Sequence, residues 1–221
     1  MKQPFASRAR RGALRPRNRR VRAWRRASAP RLLRRDPRPA TMARPRRPRC
    51  DGFEDPMRSD LPMLVCKVNQ PDGPVAYVTL TPQQDLSTRG IAPQEIVGQI
   101  IDPEQPGIAP DNFARNRVFV EFLHGVIARH GPSLPGLRDE AQRQGEGIVA
   151  IVDGRAETPQ DAVPPEDILG AFQVAEGRIV ADSYRPNPNH RILSARGFFQ
   201  LDPQLQRVLL EELAASVVAG A

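Results

Sequence analysis

Cysteine, histidine, lysine and tryptophan are all scarce in this chain, and each scarcity removes a class of explanation. The two cysteines, Cys50 and Cys66, are too few for a disulfide framework or a clustered thiolate metal site. Cys66 lies inside the apolar run MLVCKV and reads as a small core residue. A reducing, cytoplasmic setting fits that usage. Three histidines, His124, His130 and His190, are the whole imidazole pool for proton transfer. No apolar run approaches the ~18 to 20 residues that a membrane-spanning helix needs, and no signal-peptide core is present. Nucleophile-elbow, Walker and dinucleotide motifs are missing, and Gly145-Glu146-Gly147 is too short to stand for one. No cofactor or metal is implied.

Positive charge is abundant but unevenly placed. Residues 1–60 hold 20 Lys and Arg against 5 Asp and Glu, whereas residues 61–221 hold 13 against 20. The formal net charge of +8 therefore belongs to the tail, and the body is acidic. The stretch RARRGALRPRNRRVRAWRR, residues 8–26, carries ten arginines and no acid. Prolines at 4, 16, 30, 37, 39, 45 and 48 oppose helix, and apolar residues are sparse, so residues 1–60 are predicted to be a disordered tail.

Its Arg, Pro, Ala and Gly content is that of translated GC-rich upstream DNA, which puts the expected native start at Met42, Met57 or Met63. If the tail is genuine, it suits sequence-blind, salt-sensitive nucleic-acid binding, with Trp24 able to stack on a base. A transit peptide fits less well, because serine is scarce and proline interrupts the helix.

Residues 61–221 suffice for one hydrophobic core. MLVCKV and VAYVTL read as paired strands across the turn Asn69-Gln70-Pro71-Asp72-Gly73-Pro74. Thr81-Pro82-Gln83-Gln84 reads as a capping box. The phrase returns in APQE (92–95), TPQD (158–161) and DPQLQ (202–206), which read as independent helix starts with no longer repeat behind them. A helix is predicted from about Asp111 to His130, with Phe119, Phe122, Leu123, Val126, Ile127 and His130 on the apolar face and Arg117, Glu121, His124 and Ala128 opposite.

Glu121 and His124 have the Glu-x-x-His spacing of carboxylate-bridged metal sites, but they face outward and occur once, so a solvated face with an Arg117–Glu121 contact is expected. His130 is expected at the core edge, favoured by the helix C-terminus.

SLPGLRDEAQRQG suggests a short helix, GIVAIVDG a buried strand ending in a turn at Asp153, and ILGAFQV with RIVADSY a hairpin turning at Glu176-Gly177. RILSARGFFQL reads as a last strand. A helix follows with Asp202 as N-cap and Leu205, Val208, Leu209 and Leu213 as its stripe. The expectation is an α+β fold: one compact domain over 61–221, with mixed, largely antiparallel strands and four or five helices.

The chemically richest segment is YRPNPNHRILSAR, residues 184–196, which gathers cations without an acid. Pro186 and Pro188 stiffen it, and arginine forks suit carboxylate or phosphate. The candidate ligand-binding set is Arg185, Asn187, Asn189, His190, Arg191 and Arg196. Pairing of these cations with Glu166, Asp167 and Asp182 is the plainer alternative. The leading expectation is a binding or interaction module for an anionic small molecule or an acidic protein surface. The alternatives are a small enzyme using His190 as acid/base with Arg185 and Arg191 as charge stabilisers, and a nucleic-acid binder acting through the tail.

Overall fold

The computed structural model describes residues 49–51, 60–71, 73–86, 88–156 and 163–219. All belong to one compact unit, Ala43–Ala221. Three residues of the expected tail, Arg49–Asp51, form a strand (β1) on the first sheet; the basic stretch 8–26, Trp24 and the TPQD phrase lie outside the described residues.

The fold is α+β with antiparallel sheets, as the alternating apolar patterns predict. The first sheet runs β1–β2–β3–β4–β5, adding β2 (Leu64–Gln70), β3 (Gly73–Thr79), β4 (Ile96–Ile100) and β5 (Phe113–Arg115). A short helix, α1 (Gln83–Leu86), follows β3. α2 (Arg117–His130) and α3 (Pro135–Gln144) lead to the second sheet. There β6 (Gly147–Val152) pairs with β7 (Ile168–Ala175), and β7 also carries β8 (Arg178–Ile179) and β9 (Arg185–Pro186). The hairpin of β10 (Leu193–Ser194) and β11 (Gly197–Phe198) precedes α4 (Pro203–Ala219).

α2 starts later than its periodicity suggests. Residues 110–112 form a 3-10 turn and 113–115 pair with β4, so the helix begins only after Asn116, whose Oδ1 accepts from the Val118 amide as N-cap. Phe119, Leu123, Val126 and Ile127 are buried, as the stripe requires. In α4, Leu205, Leu209 and Leu213 enter the same core, and Asp202 accepts from the Gln204 amide. Arg129 and His130 both bind Glu212, tying α2 to α4; the His130 contact is 2.7 Å. The predicted last strand is instead a hairpin of two two-residue strands, β10 and β11.

One of the echoed phrases, APQE, belongs to a longer structural repeat, but its counterpart begins at Pro165 and is not another of the echoes; TPQQ and DPQLQ stand at separate helix starts. β3–β4–β5 and β6–β7–β9 are the same unit built twice. Val78 pairs with Gly98 as Ile151 pairs with Gly170, and in each copy the register shifts at the next residue, where Thr79 meets Ile96 and Val152 meets Ile168. The Leu80 amide then donates to Glu95 O, and the Asp153 amide to Asp167 O. The matching stretches are Pro93-Gln94-Glu95-Ile96-Val97-Gly98 and Pro165-Glu166-Asp167-Ile168-Leu169-Gly170, each opening with a 3-10 turn.

The third strand repeats as well. Gly98 pairs with Arg115 and Gly170 with Pro186. The Asn116 amide donates to Val97 O, and the Asn187 amide to Leu169 O. What differs is the continuation: the first copy runs on into α2, whereas Pro188 and Asn189 begin an irregular turn in the second.

Candidate functional site

The register shift at the end of β6 turns Asp153 into the interior, where it is fully buried. A buried carboxylate needs partners, and this one has four donors. Oδ1 accepts from the amides of Arg155 (3.1 Å) and Gln200 (2.9 Å), and Oδ2 from Arg155 Nη2 (2.7 Å) and His190 Nε2 (3.1 Å). Burial raises the Asp153 pKa, but the His190 hydrogen bond, the Arg155 charge and the Gln200 amide outweigh it and hold the carboxyl below its ordinary value.

Arg155, also buried, turns its two terminal nitrogens on the return segment as well: Nη1 donates to Ser194 Oγ (2.9 Å) and Gly197 O (2.7 Å), and Nη2 to Arg191 O (2.7 Å). The Asp167 carboxylate lies 3.5 Å from Arg155 Nη2 and pairs with Arg196. The segment 190–197 is therefore bolted onto the end of β6 by buried charge. In the first copy the position of Asp167 is taken by Glu95, which receives both guanidinium nitrogens of Arg89 at 2.8 and 2.7 Å.

Outside this cluster lies a cleft of about 640 Å³ between the two copies of the unit. Phe113 and Arg115 line it from the first copy, and Glu166, Asn189 and Arg191 from the second, with one edge of His190. Arg115 Nη1 donates to His190 O at 3.2 Å, which aims its guanidinium along the cleft wall. The Arg191 backbone is fixed by the hydrogen bond its amide donates to Glu166 O. Among the described residues neither guanidinium has a carboxylate within ion-pair distance.

The structure divides the candidate set. Asn189, His190 and Arg191 line the cleft together. Arg185 lies exposed on β9 and is not part of that lining. Asn187 is spent on structure: Nδ2 donates to Pro165 O (2.6 Å) and Ile168 O (2.7 Å), and Oδ1 accepts from the Asn189 amide. Arg196 is paired with Asp167 and lies 3.9 Å from Glu166, the plainer pairing that charge alone suggested. His190 is 2% exposed and its Nε2 points inward to Asp153, a poor placement for proton transfer to a molecule in the cleft.

Sequence reasoning missed Arg115, Arg155 and the depth of Asp153. The signal for the last two was an acid and an arginine two residues apart at the close of an apolar strand. The expected outward face of α2 is also split: Glu121 is exposed and bound to Arg117 at 2.7 Å, whereas His124 Nδ1 meets Tyr184 OH at 2.8 Å. Burial, then electrostatic interaction with His190 and Arg115, pushes the His124 pKa down to about 4, and burial raises that of Tyr184. Among the described residues, no helix is long and apolar enough to cross a membrane, and no group of three or more potential ligands is placed to hold a metal ion. Comparison of the chain with protein-family models, with curated proteins and with solved structures finds no match.

Proposed function

We propose that the chain is a binding module whose cleft takes a small carboxylate- or phosphate-bearing molecule. The observation that carries this is the pair Arg115 and Arg191, one from each copy of the unit, facing one cleft without carboxylate partners among the described residues. Guanidinium forks bind such anions through two parallel hydrogen bonds, and Asn189 adds a neutral donor and acceptor for orientation. Phe113 supplies an apolar wall, the usual companion of a few placed polar groups in ligand clefts. The chain's two cysteines support a reducing cytoplasmic setting for this activity.

The test is calorimetric titration of the full chain with inorganic phosphate and with small dicarboxylates. Binding is expected for at least one, with a loss of 10-fold or more in Arg115→Ala and in Arg191→Ala, incomplete recovery in the lysine variants, and no change in Arg185→Ala. Absence of binding by every anion, or binding indifferent to both arginines, would overturn the proposal.

A further inference from the structure

The repeated unit leaves one edge unlike the others. In the first copy β3 carries a full antiparallel strand on its outer side, Leu64–Gln70 against Gly73–Thr79. The corresponding side of β6 in the second copy has no strand among the described residues, and apart from its ladder with β7 the backbone of residues 147–152 makes no hydrogen bond to them.

Edge strands are ordinarily protected by shortness, charge or proline. The other edges here follow that rule: β1 is Arg-Cys-Asp, β5 is Phe-Ala-Arg, β8 is Arg-Ile and β9 is Arg-Pro. β6 breaks it. Gly147–Val152 is six residues long, has neither charge nor proline, and leaves Ile148 62% exposed.

We propose that β6 pairs antiparallel with β6 of a second copy of this chain about a twofold axis, joining two four-stranded sheets into one. A strand that meets its own reverse must not bring like charges together, and β6 carries none. The two acids that bracket it are engaged within their own chain: Glu146 Oε1 accepts from the Glu176 amide at 2.8 Å, and Asp153 is held by Arg155 and His190. Six residues give about 20 Å of edge, an interface at the small end of the specific range, so the dimer forms in a concentration-dependent way.

Sedimentation equilibrium of the full chain tests this. The expected result is a monomer–dimer equilibrium whose apparent mass rises toward twice the monomer's with concentration. Ile148→Lys and Ile148→Glu, both at an exposed position, are each expected to remain monomeric with an unchanged melting temperature, while their equimolar mixture dimerises again. A monomer at every concentration, or a dimer indifferent to both substitutions, would overturn the proposal, the second outcome assigning self-association to another surface.

Discussion

Asn116 and Asn187 hold the same clamp in the two copies of the unit. Each side-chain amide bridges two carbonyls of the preceding 3-10 turn and strand, Pro93 and Ile96 in one case, Pro165 and Ile168 in the other. Each Oδ1 then accepts the amide two residues on. Because the bonds lost are equivalent, Asn116→Ala and Asn187→Ala are each expected to cost about 2 to 3 kcal/mol in urea unfolding. Costs that differ severalfold would show that the two clamps do unequal work.

Asp153 offers a larger effect. Asp153→Asn keeps the shape but removes the charge facing Arg155, leaving a buried guanidinium undercompensated. Breaking a buried pair from one side costs about 3 to 5 kcal/mol, or roughly 6 to 20 °C in melting temperature for a domain of this size. Arg117→Ala, whose ion pair is exposed, is expected to fall within about 0.5 kcal/mol of the parent protein under the same conditions.

The depressed His124 pKa makes stability depend on pH with a definite sign. The unfolded imidazole takes up its proton near 6.5, whereas the folded one does so only near 4, so the unfolded state binds more protons between these values. Stability is therefore fully present above pH 6.5 and declines as the pH falls toward 4. The loss amounts to about 1 to 2 kcal/mol once solvent screening at this half-buried site is allowed for. His124→Gln is expected to flatten the melting-temperature profile across that window, and a profile that keeps its full slope would assign the effect to another group.

Gly98 and Gly170 are required by close approach of the neighbouring strand. A methyl group at Gly98 would lie 2.6 Å from Ala114 O and against the Phe113 ring, and one at Gly170 would lie 2.7 Å from Arg185 O and 2.5 Å from Tyr184 OH. Since backbone carbonyls cannot swing aside, Gly98→Ala and Gly170→Ala are each expected to lower stability by about 2 kcal/mol or more. Thermal unfolding of the two single variants checks this.

What could be read from the chain were features decided by neighbours in sequence. The β2–β3 hairpin, the β7–β8 turn with Glu176 and Gly177 both at positive φ, and the Asp202 cap of α4 all follow from local residue chemistry. β5 was hidden because Phe113–Arg115 is strand only by pairing with β4, and three residues of it carry no period of their own. Asp153 read as a surface turn because Asp-Gly is a turn signal, while its burial depends on His190 and Gln200, far along the chain. The repeat escaped notice because it survives as positions for Pro, Ile, Gly and Asn, separated by segments that fold differently. Of the residues lining the cleft, Asn189 and Arg191 could be found in one charged segment, but Arg115 arrives from a different strand.

Bolting residues 190–197 to the buried Arg155 has an entropic consequence for the cleft. That side chain takes acceptors from Arg191, Ser194 and Gly197, so a wall that lacks helix or long strand is nevertheless ordered before anything enters. A ligand then has little chain to immobilise, and affinity is not spent on arranging the site. Under the proposed binding function, encounter would not wait for the wall to form, so association would be limited by approach and orientation.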